Sequence, residues 1–387
     1  MSQTGVRLGK YQLVRRLDVA EAGEAHLAKM IGIEGFEKQV VLWTFRAGPE
    51  HAPALIAKVT MEAKRAASLS HANIAQVLDL DVIDGQCVLT TEYVPGRTLE
   101  AVLRESGRLP WSIAARVACE VAAALSYAHS QRTVDGELLG VVHRRLSPSR
   151  IVLGDHGDVK VTGFGTSSAW TTSNGYRAPE EVRGEPVDGR ADVFALGISL
   201  RESLRSTGVP EPLLRILGRA LNEYPEHRPS AAELGQDLSC VLRGADGPAT
   251  HRDIAAFARG RPKLAAARAE RSFAEYLVRT STALQMRGAL FEALDRLELA
   301  LASISTRGSS EAETALDLYE RIGRLSVEAQ VGDRGISQMT RALDLADSLG
   351  RDRQAALFCA LRGELLAQAQ RKDESRDWLE RAAMFRG

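Results

Sequence analysis

The sequence predicts an α+β region followed by an all-α region. In the first region, short apolar segments such as residues 40–43, 151–153 and 159–161 are typical of buried strands. From about Arg271 onward, apolar and small residues recur instead at the three- and four-residue spacing of amphipathic helices. Glycines and a proline in residues 243–248 separate the two regions and predict a domain boundary.

Size and composition fit a multidomain protein. The chain has 387 residues, which favours two or three domains, and 44% of them are hydrophobic, which is enough for each domain to have a hydrophobic core. Lys plus Arg equals Asp plus Glu at 50 each, so neither a nucleic acid nor a membrane surface is expected as a partner. The four cysteines contain no C-x-x-C pair, which argues against a zinc site or a disulfide framework and favours a reducing compartment. They are Cys87, Cys119, Cys240 and Cys359.

The sequence predicts a cytoplasmic location. Residues 1–5 lack the charged and then apolar pattern of a signal peptide. The chain also has no apolar run near the roughly 20 residues that a membrane-spanning helix needs.

Residues 143–150 read His-Arg-Arg-Leu-Ser-Pro-Ser-Arg, which resembles the H-R-D-L-x-x-x-N catalytic loop of protein kinases. In this alignment Arg145 takes the position of the catalytic aspartate and Arg150 that of the metal-binding asparagine. Residues 163–165 resemble the D-F-G motif, with Gly163 in place of the metal-binding aspartate. The resemblance implies that the catalytic base and the metal ligands are lost, so no metal or cofactor is expected.

Several non-catalytic kinase motifs are present. The resemblance places Glu180 in the A-P-E motif, Asp192 at the start of the following helix, and Arg228 as the partner of Glu180. His143 and Phe164 are expected to have structural roles in an apolar stack that links the two lobes of the kinase fold. That stack maps onto Ala66, Val77, His143 and Phe164.

The glycine-rich loop is degenerate. The three glycines of G-x-G-x-x-G fall on Asp18, Ala20 and Gly23, so one glycine remains. Glycines allow the backbone to approach phosphate closely, whereas the carboxylates of Asp18 and Glu21 repel a polyanion. The loop is therefore expected not to bind ATP.

The phosphate-binding lysine is also replaced. Residues 40–43 align with V-A-I-K, which places Trp43 at the lysine and Val41 at the small alanine. Both side chains are predicted to fill part of the nucleotide pocket. Glu62, at the position of the helix-C glutamate, loses its lysine partner and needs water or an arginine instead.

The order and spacing of these motifs make the chain similar to bacterial Ser/Thr protein kinases over about two-thirds of its length. The resemblance implies a two-lobed kinase-like domain over residues 8–245. Its N-lobe covers about residues 8–94 and its C-lobe about residues 95–245. A linker with a short helix is predicted over residues 246–270.

Residues 271–387 are predicted to form a domain of helical hairpins. Small residues near the ends of second helices recur at Ala300, Ala342 and Ala382, a spacing of roughly 40 residues. The pattern resembles tetratricopeptide repeats, but the period is longer and the aromatic and proline positions are missing. Generic helical hairpins remain an alternative, and either arrangement leaves a groove suited to peptides or helices.

The sequence favours a catalytically inactive kinase homologue that acts as a scaffold or allosteric regulator. Its expected partners are proteins, among them an active Ser/Thr kinase or another signalling protein. One alternative is a nucleotide-binding enzyme with non-standard chemistry in a remodelled pocket. Another is a degenerate fold in which only the helical region is used.

Two hypotheses concern particular side chains. Arg144, Arg145 and Arg150 form a candidate basic pocket for a phosphorylated or acidic partner. The alternative is that they are solvated or pair with Glu62 and nearby carboxylates. The short segment after Gly163 offers hydroxyl groups to an active kinase. These belong to Thr166, Ser167, Ser168, Thr171, Thr172 and Ser173.

Overall fold

The computed structural model describes residues 6–20, 23–45, 52–166, 174–205, 208–244, 249–304 and 309–385. The α+β fold class is confirmed: a sheet-rich lobe and a helical lobe are followed by a run of helical hairpins. The strands are β1 (Arg7–Leu8), β2 (Tyr11–Ala20), β3 (Gly23–Ile31), β4 (Glu37–Phe45), β5 (Val77–Ile83), β6 (Gln86–Glu92), β7 (Gly96–Thr98), β8 (Ile151–Gly154) and β9 (Val159–Val161).

The first lobe is built on an antiparallel sheet with strand order β1-β2-β3-β4-β6-β5 and on helix α1 (Ala52–Ala67). Side chains alternate between the two faces of a strand, and β4 shows the consequence. Val40 and Leu42 enter a core that also contains Tyr11. Val41 and Trp43 therefore face the other side of the sheet, where they line a cleft.

The second lobe combines the short sheet β7-β8-β9 with helices. Helix α3 is its centre, because most of its residues are buried and it packs against α5 and α7. The helices of this part are α2 (Leu99–Ser106), α3 (Trp111–His129), α4 (Pro179–Arg183), α5 (Arg190–Ser203), α6 (Glu211–Ala220), α7 (Ala231–Arg243) and α8 (His251–Ala258).

Helix α8 is the short helix predicted for the linker. It begins after Thr250, whose backbone N–H donates to Asp253 Oδ2 at 2.8 Å. Ile254 and Phe257 are buried, and the helix packs against β8. It is therefore part of the first compact unit and not an independent connection.

The helical hairpins are formed by successive antiparallel neighbours, with an apolar core between α11, α12, α13 and α14. Close approach is possible because glycines lie at contact points: a Cβ added to Gly363 would lie 2.8 Å from Leu379. The helices are α9 (Pro262–Gln285), α10 (Leu290–Ala302), α11 (Ser309–Glu328), α12 (Gly332–Ser348), α13 (Asp352–Gln368) and α14 (Lys372–Met384).

The chain forms two compact units. One comprises Met1–Arg243 with Ala249–Ala266, and the other Gly244–Pro248 with Ala267–Gly387. All four cysteines are free thiols. Within the ranges that the structure describes, no helix is both long and apolar enough to cross a membrane.

Candidate functional site in the interlobe cleft

A cleft of about 520 Å³ lies between the sheet of the first lobe and the β7-β8 region. This volume falls within the range of about 300–1,000 Å³ that is usual for small-molecule sites. Val41 and Trp43, which were predicted to fill part of the nucleotide pocket, line the cleft as a wall of the sheet and leave space beside them.

Trp43 is held firmly in this wall. Only 3% of the residue is exposed, and its Nε1–H donates to Thr91 Oγ1 on β6 at 3.1 Å. The guanidinium of Arg150 lies over the indole ring, 4.8 Å from the ring centroid. The position that the resemblance assigns to the phosphate-binding lysine thus holds a neutral aromatic ring in contact with an arginine.

Arg150 brings a positive charge into the cleft. It ends a 3-10 turn, Pro148–Arg150, and its side chain is only 4% exposed. Burial lowers the pKa of Arg150, while the neighbouring carboxylate of Asp18 opposes this shift. The Arg150 NH2 group donates to Asp18 Oδ2 at 3.1 Å. An arginine keeps its proton in proteins, so this is a charged pair.

Gly163 lies directly beside Arg150. Its φ of +93° is in the region that favours glycine, and a Cβ added there would lie 3.4 Å from Arg150 Cδ. The two positions where a kinase holds magnesium thus meet, but one has no side chain and the other is cationic. Magnesium prefers oxygen ligands in octahedral geometry, so these residues do not fit the metal.

No alternative metal centre is found in the described part of the chain, since no group of three His, Cys, Asp or Glu side chains is placed to hold an ion there.

The residues aligned with the glycine-rich loop lie on two paired strands. Asp18 lies on β2 opposite Ala25, and Ala20 lies opposite Gly23. A Cβ added to Gly23 would lie 1.9 Å from the carbonyl oxygen of Thr44, so this glycine is required for strand packing. Glu21 lies outside the described residues.

The candidate basic pocket is not assembled. Arg150 is paired with Asp18, and Arg144 is exposed with a φ of +61°. Burial lowers the pKa of Arg145, and the carboxylates of Glu181 and Glu62 oppose this shift. Glu62 thus has an arginine nearby. The alternative in which these arginines are solvated or pair with carboxylates is the one that fits these contacts.

The comparisons with known proteins agree on one family. Residues 49–209 match the protein kinase domain model. This part of the chain is similar to bacterial protein kinase domains. The chain is 38% identical over 211 residues to the tyrosine-protein kinase MasK of Myxococcus xanthus, covering 51% of this chain and 33% of that protein. It is 27% identical over 263 residues to a probable serine/threonine-protein kinase PknB of Lactococcus lactis, covering 64% and 40%.

Among solved structures, the Mycobacterium tuberculosis PknI kinase domain is similar, with 27% identity and a TM-score of 0.49. The match covers 62% of this chain and 99% of that one. The chain spans less than half the length of both curated relatives named above.

The kinase domain keeps a buried aspartate that organises residues 143–145. Asp192 accepts the backbone N–H groups of His143 at 2.8 Å and of Arg144 at 2.7 Å. It also accepts from His129 Nε2 at 2.8 Å. Burial would raise the pKa of Asp192, but the bonds from His129 and His143 outweigh it and hold that pKa below its ordinary value.

Glu180 and Arg228 form the ion pair that the resemblance implies. Two parallel bonds of 2.8 Å join them, and both side chains are almost fully buried. Arg228 also lies 4.8 Å over the ring of Phe194. The arrangement is bidentate, which gives both strength and a fixed geometry.

Two members of the predicted stack between the lobes are in contact. The rings of His143 and Phe164 meet edge to face with centroids 4.6 Å apart, and Ala66 and Val77 are buried. His143 Nδ1 accepts from the backbone N–H of Arg145, and Nε2 lies 3.0 Å from the carbonyl oxygen of Thr162. Because Nδ1 accepts a hydrogen bond, the imidazole is neutral, and burial lowers its pKa in the same sense.

Of the hydroxyl groups considered as phosphoacceptors, only Thr166 lies within the described residues. It is buried and its Oγ1 donates to the carbonyl oxygen of Gly163 at 2.7 Å, which makes it a poor acceptor. Ser167, Ser168, Thr171, Thr172 and Ser173 lie outside the described residues.

The pairing of Asp18 with Arg150 was not predicted from the sequence. The sequence did contain a signal for this pair. The acidic Asp18 and the basic Arg150 are replacements at two kinase positions that both face the nucleotide phosphates. Thr91 was also missed, since it belongs to no kinase motif.

Proposed function

We propose that this chain is a catalytically inactive protein kinase homologue that acts as a scaffold or allosteric regulator in cytoplasmic signalling. The observation that carries the proposal is the cluster of Trp43, Arg150 and Asp18 in the cleft, which we call the cleft cluster. These three residues stand at the positions of the lysine, the metal-binding asparagine and the first loop glycine.

The chemistry of phosphoryl transfer supports this proposal. Transfer depends on magnesium, a lysine and a residue that accepts the hydroxyl proton, each of which contributes orders of magnitude in rate. Arg145, at the position of the base, has no acceptor atom. The side chains of Arg150 and Gly163 offer no oxygen ligand to a metal.

The residues that support the fold are intact, which favours a role in binding. Asp192, Glu180 and Arg228 form buried contacts with other residues of the protein. We infer that the kinase domain presents a stable surface to a protein partner, such as an active Ser/Thr kinase. The helical hairpins are proposed to bind a second partner.

A direct test is transfer of labelled γ-phosphate from ATP, in magnesium and in manganese, to a mixture of protein substrates. The full chain is compared with MasK as the positive control. We expect incorporation no higher than in the absence of protein. Incorporation that increases with the amount of this chain, and that is lost in Arg150→Gln, contradicts the proposal.

A second candidate function is a nucleotide-binding enzyme with non-standard chemistry. The open volume of the cleft is the observation that favours it. Phosphorus NMR of ATP incubated with the full chain tests it, because any consumed nucleotide gives new resonances. An unchanged spectrum eliminates this candidate.

A further inference from the structure

We propose that the helical hairpins bind a phosphorylated segment of a partner protein through two arginines that lie over the ring of Trp378. The site consists of Arg362, Trp378 and Arg381, which we call the arginine-tryptophan cluster. This inference rests on the proposed function, because it names the chemistry by which the hairpins would recognise the second partner.

Trp378 is the fixed part of the cluster. It lies on α14, is part-buried, and packs against the apolar core between α11, α12, α13 and α14. The guanidinium carbon of Arg362 on α13 lies 4.1 Å from the centroid of the ring, and that of Arg381 on α14 lies 5.0 Å from it. One anchored side chain therefore holds two cations close together. Such contacts use the flat face of a guanidinium, so the N–H groups in its plane are left for an anion.

The charge of Arg362 is not compensated by a counter-ion. Within the described part of the chain, its guanidinium forms no ion pair and its buried Nε atom has no hydrogen-bond acceptor. Burial lowers the pKa of Arg362, and the positive charges of Arg371 and Arg381 lower it further, although Glu374 opposes them. An arginine keeps its proton in proteins, so this side chain stays charged, which is costly without a partner.

The nearest carboxylates do not supply that partner. Glu374 is already bound to Arg371 by two hydrogen bonds of 2.7 Å. Asp347 Oδ2 on α12 lies 4.0 Å from Arg381 Nη2, which is the outer limit of an ion pair and too far for a hydrogen bond. Neither carboxylate therefore neutralises the cluster by direct hydrogen bonds.

Three further carboxylates of α13 and α14 leave the cluster open. Asp377 lies one turn before Arg381, but these two described residues form no ion pair. Glu364 and Glu380 lie one or two positions from members of the cluster, which places them on other sides of their helices. A ligand anion therefore has only the long contact with Asp347 to replace.

A phosphate monoester fits the cluster better than a carboxylate does. It carries close to two negative charges at pH 7 and three acceptor oxygens, so one group can accept hydrogen bonds from both guanidiniums. A carboxylate carries one charge and two oxygens. Two cations without a tight counter-ion therefore favour a phosphate.

The place of the cluster favours a protein segment over a small molecule. The side chain of Arg381 is 47% exposed, so the cluster opens to the surface, whereas small-molecule sites are enclosed clefts. Met384, one turn after Arg381, is 82% exposed and offers an apolar contact to residues that flank the phosphate. Arginine clusters are a recurring means of binding phosphorylated segments of proteins.

The test measures binding of the full chain to an array of short peptides of random sequence. Each peptide is made with phosphoserine or phosphothreonine at its centre, and again with the unmodified residue. We expect a subset of the phosphorylated peptides to bind about tenfold or more tightly than their unmodified forms, the effect of at least one charged hydrogen bond. Calorimetry then measures the affinity of the peptide that binds best.

Variants locate the binding site. Arg362→Gln and Arg381→Gln are each expected to weaken the affinity for this peptide about tenfold or more, and Arg362→Lys should retain part of it because it keeps the charge. Arg376→Gln is the matched control, because Arg376 is an exposed arginine of the same helix that lines a different groove. It should leave the affinity unchanged. Thermal unfolding checks that each variant is folded.

A spectroscopic signal separates binding at the cluster from binding elsewhere. The indole N–H resonance of Trp378, assigned as the one that Trp378→Phe removes, should shift when the peptide is added. The inference is overturned if phosphorylation does not improve binding, if a peptide with glutamate at the centre binds equally well, or if inorganic phosphate binds as tightly as the peptide. Equal losses in Arg376→Gln and Arg381→Gln would also overturn it. Phosphoryl transfer in the separate activity assay would overturn the proposed function and not this site.

Discussion

At the scale of single residues, Glu180 and Arg228 show what stabilises the kinase-like fold. The pair is buried and doubly hydrogen-bonded, so removing one partner leaves an uncompensated charge in the interior. Arg183 and Glu185 form a pair of similar length at the surface, where water and salt screen the interaction.

Glu180→Ala is therefore expected to lower the free energy of unfolding by about 3–5 kcal/mol. Glu185→Ala is the matched control and should cost less than about 1 kcal/mol. Urea unfolding followed by tryptophan fluorescence measures both. Equal losses in the two variants would contradict the importance of the buried pair.

The same pair predicts a pH dependence. Burial would raise the pKa of Glu180, but the hydrogen bonds from Arg228 outweigh it and hold the pKa below the ordinary value of 4.5. The stabilisation by the carboxylate is thus fully present above pH 4.5 and is lost as the pH falls through the lowered pKa. The stability difference between the native protein and Glu180→Gln should shrink below pH 4.5; a difference that grows there would contradict this assignment.

The residue scale also shows what a sequence can predict. The positions of Arg145, Arg150 and Gly163 follow from the order of the motifs around them. The contact between Arg150 and Asp18 could not be predicted in this way, because 132 positions separate the two residues and the replacements no longer follow the motif. The packing of Gly23 against Thr44 was missed for a similar reason, since the glycine was interpreted as a remnant of phosphate binding.

At the scale of elements, tight helix contacts depend on missing side chains. A Cβ at Gly363 on α13 would lie 2.8 Å from Leu379 Cγ and 3.3 Å from the backbone oxygen of Ser375 on α14. Gly218 on α6 is a comparable helical glycine, but a Cβ added there would have no atom of the described residues within 4 Å. The helical hairpins could be predicted from the spacing of apolar residues in the sequence. The distance between two packed helices could not, because it depends on which side chains meet at the contact.

Gly363→Ala should therefore destabilise the chain by about 1–2 kcal/mol, because overpacking of about 1–3 kcal/mol exceeds the gain in helix propensity. Gly218→Ala meets open space and should stabilise it by up to about 1 kcal/mol. Urea unfolding of the full chain gives both values. A stabilising Gly363→Ala would show that α13 and α14 are farther apart than described.

At the scale of the whole molecule, the cleft cluster stands where the resemblance places several catalytic groups. Under the proposed function, restoring one of these groups should not restore activity. Trp43→Lys places a second cation beside Arg150 and removes the bond to Thr91. We expect it to destabilise the kinase domain by about 2 kcal/mol or more and to give no phosphoryl transfer. Trp43→Phe keeps a ring and should cost only about 1 kcal/mol. Thermal unfolding and the transfer assay check these expectations, and a gain of activity in Trp43→Lys would contradict them.

The central claim is that the cleft has lost its use of magnesium. Calorimetric titration of the full chain with ATP, once in magnesium and once in EDTA, tests it most directly. The account predicts that magnesium leaves the affinity unchanged or weakens it, because Arg150 and Gly163 stand where the metal ligands should be. Affinity that is clearly tighter in magnesium than in EDTA would contradict it.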